Sequence, residues 1–199
     1  MHLIRVMMTP CLLAALATSV MTTAATAGPL SDAATKAEQM AAAGDTAGAR
    51  LAMRNAINDF SASLPFQIGT ATFVSGEPSG FGMFDPRGNG VFKPGEKIVA
   101  YIEPVGLTWK PAAVAKKMET RFTVDFDLLD AGGTVLGNQK AFGDFRFTGF
   151  TKNEEIFATL TLDVSQAPVG NYVLRYHFND TNGGKSASVD LPFSIAAAP

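Results

Sequence analysis

The chain has 199 residues, a formal net charge of −2, one cysteine and one tryptophan. That length supplies one ordinary domain with a sizeable core and leaves room for an appendage. Charges of both signs are scattered without runs, which argues against nucleic acid or an anionic membrane surface as a partner.

The first segment, "MHLIRVMMTPCLLAALATSVMTTAATAGPL", places Arg5 before an apolar run from Val6 to Val20. Ala25-Thr26-Ala27 then forms the small-x-small pattern of a signal peptidase site, so residues 1–27 are predicted to be a secretory signal cleaved after Ala27. The unbroken apolar part is too short for a membrane anchor, and Pro10 interrupts it. "MTPC" also lacks the residues that normally precede a lipidated cysteine. Cleavage removes Cys11, so no disulfide framework is available and the fold must rest on its core. A secreted chain of this kind suits a bacterial periplasm, with no stable membrane insertion after cleavage.

Residues 28–64 are expected to form an α-helical hairpin. The segment is rich in alanine, with Glu, Gln, Lys and Arg and almost no β-branched residues. Ser31 and Asp32 are N-cap candidates for a helix through Ala43, Gly44 is the C′ residue, and Asp45 caps the next helix. Met53, Ile57 and Phe60 share one face of that second helix and are expected to dock on whatever follows, or failing that to form a partner-binding stripe. "AAAGDTAGARLAMRNAI" is similar to the inter-helix turn of a tetratricopeptide repeat, but a single copy cannot build a solenoid.

From Leu64-Pro65 onward the composition changes, and residues 65–199 are expected to form one β domain. "RFTVDFDLL", "FATLTLDV", "NYVLRYHF" and "SASVDLPFSI" alternate apolar and polar residues, the pattern of half-buried antiparallel strands. Gly132-Gly133 and Asn182-Gly183 are hairpin signals. The spacing predicts a mainly β antiparallel sandwich of about seven to nine strands.

Two motifs carry a resemblance. "VFKPGEKIVAYIEPVG" is similar to the F-x-P-G-E/D-x-V start of an early strand in immunoglobulin-like and fibronectin-III-like bacterial domains. "APVGNYVLRYHFNDTNGGKSASVDLPFSI" resembles their closing hairpin. The resemblance implies an immunoglobulin-like β-sandwich and puts Tyr172 at the tyrosine-corner position, its hydroxyl bonded to backbone just upstream. It implies no activity.

The glycine-rich "PSGFGMFDPRGNGVFKPGE" lacks a nucleotide fingerprint, because Pro94 would break the helix that must face a phosphate. It reads as a turn-rich approach to the sheet, with Phe81, Phe84 and Phe92 capping one end of the core. "GGKS" near the C-terminus lacks the earlier glycine of a P-loop. The candidate ligand or partner surface combines Phe84, Arg87, Tyr101, Glu103 and Trp109, aromatic platforms beside an arginine and a carboxylate. Its partner would be an envelope protein, a peptide or a glycan.

Catalytic and metal chemistry finds little footing. After cleavage one histidine remains, His177, at an outward strand position, with no G-x-S-x-G elbow for a Ser-His-Asp triad. Zinc and iron lack ligands, and Asp125, Asp127 and Asp130 lack the loop that calcium needs. Glu154 and Glu155, read as neighbours on a strand, would point oppositely. No cofactor is expected. The expectation is a non-enzymatic binding or scaffolding protein of the cell envelope. The alternatives are an envelope hydrolase or transferase using loop carboxylates, and a purely structural component of an envelope assembly.

Overall fold

A computed structural model describes residues 28–196. The secretory signal and its cleavage site lie outside the described residues. Two helices, α1 (Pro29–Ala42) and α2 (Thr46–Ser63), precede nine strands. These are β1 (Gln67–Phe73), β2 (Val91–Phe92), β3 (Lys97–Val105), β4 (Lys110–Pro111), β5 (Met118–Asp130), β6 (Val135–Gly149), β7 (Ala158–Asp163), β8 (Gly170–Asp180) and β9 (Lys185–Ile195). The protein is therefore mainly β with an N-terminal helical pair. No described helix is long and apolar enough to cross a membrane.

The helical boundaries follow local chemistry. Pro29 occupies the first turn of α1, where its missing N–H costs nothing, so the cap is Gly28 rather than Ser31 or Asp32. Gly44 takes φ +86° after α1, and the Asp45 carboxylate accepts from Gly48 N at 2.8 Å to start α2.

The docking expectation for α2 is corrected. Ala37 and Ala49 are the buried apolar residues of the pair, so small side chains bring the two helices together. Met53 and Phe60 lie on the α1 side of α2 and line grooves along the hairpin, while Ile57 and Phe60 remain 47% and 49% exposed. The face turned to the strands is polar: Asn58, about 180° round the helix from Ala49 at 3.6 residues per turn, is only 7% exposed.

The smaller sheet runs β1-β3-β7 and the larger β2-β9-β8-β5, with β4 and β6 also on β5. Only the short β2–β9 pair is parallel; the other named pairs are antiparallel. The larger sheet curls as a half-barrel. One apolar cluster joins the two sheets, with Ile98, Ala100, Ile102 and Leu160 from one and Phe122, Val124, Leu174, Tyr176 and Phe178 from the other. The alternation read from sequence therefore gives the correct inward face for β5, β8 and β9. One departure is Leu128, partly buried while its neighbour Leu129 is 5% exposed. The β5–β6 register shifts there, between Leu128 and Leu129.

Two core tyrosines make opposite use of their hydroxyls. Tyr172 donates to Pro168 O at 2.7 Å, the upstream backbone bond that the tyrosine-corner position implies. Tyr176, 0% exposed, has no partner for its hydroxyl among the described residues, and burial holds that phenol well above its ordinary pKa. Tyr172→Phe is expected to lower stability by about 1 kcal/mol in urea unfolding, while Tyr176→Phe leaves it unchanged or raises it.

Candidate binding site

The five residues expected to form one surface fall in two places. Arg87 lies against Glu96, just before β3, whereas Trp109 follows the end of β3. At about 3.3 Å per residue, the length of β3 keeps them roughly 30 Å apart. Phe84, Tyr101 and Glu103 are brought together, but as packing. Tyr101 is fully buried on the outer face of the smaller sheet, stacked between Phe84 at 4.1 Å and Phe157 at 5.2 Å. Its hydroxyl accepts from Gly82 N at 2.7 Å and donates to the Glu103 carboxylate.

The glycine-rich stretch thus folds back over the small sheet. Gly82 takes φ +68° there, which lets the chain turn down onto the tyrosine. The capping expectation is corrected accordingly. Phe92 is 1% exposed within the core, Phe84 covers Tyr101 outside it, and Phe81 is 38% exposed. Arg87 is equally occupied. It pairs with Glu96 at 2.6 Å, donates to Val91 O at 2.7 Å, and sits 4.1 Å from the Phe92 ring centroid. That guanidinium holds the Glu96 carboxyl below its usual range.

Burial, reinforced by the Glu103 carboxylate, pushes the Tyr101 phenol up to about 12. The folded state keeps this proton while the unfolded chain gives it up near pH 10, about the ordinary value. Stability from this site is therefore full below about pH 10 and is lost as pH rises through about 12. Alkaline urea titrations should show wild type losing on the order of 2 kcal/mol more than Tyr101→Phe over that window.

Trp109 leads to a different site. The β3–β4 connection crosses the exit of α2 so closely that a Cβ on Gly106, at φ +82°, would stand 2.9 Å from Pro65 O. Asp180, 1% exposed, anchors this connection. Its carboxylate accepts from Thr108 N at 3.0 Å, Asn182 N at 3.0 Å and Gly183 N at 3.1 Å. Thr108 O in turn accepts from Thr120 Oγ1 at 3.0 Å and Asn182 Nδ2 at 3.2 Å. Trp109 packs against the core cluster from this pinned backbone.

Between that connection, the β6–β7 loop and α2 lies a cavity of about 330 Å³, lined by Asn58, Leu107, Trp109, Lys152, Glu154 and Lys185 among others. Lys152 reaches Asp59 at 3.9 Å, and Lys185 has no ion-pair partner among the described residues. Burial raises the Glu154 carboxyl above its ordinary value, opposed by a hydrogen bond from Ser61 and by the Lys152 charge. Glu154 and Glu155 sit in a loop, not on a strand as expected, which lets Glu154 turn under α2. No family model matches this sequence, and a search among curated proteins finds no significant match.

Of the residues lining this cavity, sequence reasoning named Trp109 as a candidate and did not single out Asn58, Lys152 or Lys185. The available hint was the Asn58-Asp59 polar break in α2 ahead of Phe60. Lys185 was visible only as part of a false P-loop.

The outer face of the larger sheet holds one more constellation. His177 places Nδ1 2.8 Å from Ser188 Oγ and Nε2 3.0 Å from Asp127 Oδ2. The elements of a triad meet here through cross-strand register, with His177 opposite Ser188. However, Ser188 is exposed on a sheet face, and none of these three residues lines a described cavity. A nucleophile needs a site about 3 Å away that holds the reacting atom and its oxyanion donors. Among the described residues no group of three or more His, Cys, Asp or Glu side chains is arranged to hold a metal ion.

Proposed function

We propose that this is a secreted, periplasmic, non-enzymatic binding protein of the cell envelope, an immunoglobulin-like β-sandwich that recognises its ligand where the helical hairpin meets the strand ends. The strand order favours the sandwich reading. β1-β3-β7 has the order of strands A, B and E, β9-β8-β5 has the order of G, F and C, and β6 takes the place of the extra strand beside C. The Tyr172 bond to Pro168 adds to it. The observation that carries the binding role is the Trp109 cavity, an aromatic side chain and three charged groups converging on a backbone that buried hydrogen bonds hold rigid.

A thermal-shift screen of the secreted protein against glycans, peptides, lipids and divalent ions tests this reading. A ligand at 100 times its Kd adds about 2.7 kcal/mol, and Trp109→Ala should erase the response. Turnover of a substrate at ordinary enzymatic rates would overturn it, as would a best ligand indifferent to Trp109. N-terminal sequencing of the exported protein should begin at Gly28.

A second reading, an assembly component that uses the hairpin as its contact, is favoured by the groove of about 690 Å³ between the helices. Leu30 and Phe60, 40% and 49% exposed, flank that groove. Loss of a co-purifying envelope partner in Phe60→Glu, with Trp109→Ala retaining it, would select this reading over the first.

A further inference from the structure

The geometry points to a saccharide as the ligand of the junction cavity, one pyranose ring lying on Trp109 with its hydroxyls shared among Asn58, Lys152, Glu154 and Lys185. This inference rests on the binding role proposed above and names the ligand class for the same site.

Three observations carry it. The first is the balance of charge. Lys152, Lys185 and Glu154 line the cavity, Asp59 approaches Lys152 from α2, and Asp180 beside Gly183 already accepts three backbone N–H groups. The lining thus holds two ammonium groups and one carboxylate, with Asp59 outside it offsetting Lys152 and the Asp180 carboxylate saturated, so much of the charge is already balanced within the protein. The second is the mixture of donors and acceptors. The ammonium groups donate, the Glu154 carboxylate accepts, and the Asn58 amide does both. Asn58 is 7% exposed, lines the cavity and makes no side-chain hydrogen bond within the described protein, which leaves its amide free to meet a ligand there. A vicinal diol donates and accepts from adjacent oxygens, which such a lining satisfies and an apolar ligand would not.

The third is the aromatic platform. An indole offers a large rigid apolar face with a negative quadrupole, complementary to the axial C–H groups of a pyranose. The cavity volume of about 330 Å³ lies at the small end of the ligand-site range of about 300–1,000 Å³. It suits one ring or the terminal unit of a longer glycan. An extended peptide would instead need a groove along a free strand edge, whereas this cavity sits at strand ends with α2 along one side.

The sole tryptophan makes the test direct, because all indole emission comes from the site. The secreted protein is titrated with glucose, galactose, N-acetylglucosamine and its β-linked dimer, and in parallel with glucuronate and a neutral tripeptide. The expected result is a saturable change in emission with at least one neutral sugar, at a Kd of roughly 1 mM. Lys185→Met should weaken it about tenfold with an unchanged urea midpoint, and Asn58→Leu should do likewise. If the tripeptide or glucuronate alone perturbs emission, the saccharide assignment falls and the binding cavity stands. If no probe perturbs it, and the thermal-shift screen finds a ligand insensitive to Trp109→Ala, both the assignment and the cavity fall.

Discussion

Asp180→Ala is expected to lower the stability of the protein by about 3–5 kcal/mol, a large share of the total for a domain of this size. The carboxylate is 1% exposed, and its removal leaves three backbone N–H groups, from Thr108, Asn182 and Gly183, without an acceptor. Gly183 makes the arrangement tighter still, since a Cβ there would come within 2.2 Å of Thr108 Oγ1 and 2.5 Å of Asp180 Oδ2. Urea unfolding followed by Trp109 emission reads both consequences. The midpoint falls, and the folded-state emission shifts because the segment that holds the indole is no longer pinned. Asp180→Asn separates charge from shape, because its amide keeps one acceptor oxygen but turns an NH₂ toward N–H donors. It should fall between wild type and alanine. An alanine variant within about 1 kcal/mol of wild type would mean that the anchor is not structural.

Tyr101→Ala should cost a similar amount, about 3–5 kcal/mol, but locally as well as globally. The ring fills the space between Phe84 and Phe157, and its hydroxyl ties down Gly82. Without it the stretch around Gly82 and Phe84 loses its seat on the small sheet. What remains holding it is the pairing of Ser75 N with Asp85 O and of Arg87 N with Phe73 O. Limited proteolysis should then cut between Ser75 and Pro86 well before the strands are attacked. Tyr101→Phe keeps the stacking and loses only the hydroxyl bonds, so it should resist the protease far better. Equal protection of wild type and alanine variant would show that the turns hold without the tyrosine.

These two positions also mark where reading the sequence succeeds and where it stops. The strands were legible because burial on one side imposes a two-residue period, and Phe122, Val124, Leu174 and Phe178 carry it without interruption. The helical hairpin was legible from Gly44 and Asp45, whose conformational and capping preferences are local. Tyr101 sits in a run, "KIVAYIEPV", buried on both faces of β3, so periodicity could not say which side receives what. Arg87 read as part of a ligand or partner surface because its partner Glu96 is defined by a turn that only the folded chain closes. The apolar face of α2 read as a docking surface because periodicity marks a face without naming its neighbour; it lies toward α1 rather than the sheet, with Ile57 and Phe60 still half exposed.

By itself the sequence determined a mainly β chain with a helical preface and the inward faces of the strands, which follow from period, cap and turn chemistry that act over a few residues. The backbone bond of Tyr172 was implied by the resemblance of the closing hairpin. Tertiary structure alone decided that Arg87 and Trp109 lie at opposite ends of a strand, and that Asn58, Lys152, Glu154 and Lys185 gather beside the indole. Those residues come from α2, the β6–β7 loop and the start of β9, and contacts across such separations are set by how packed elements meet rather than by any preference written along the chain.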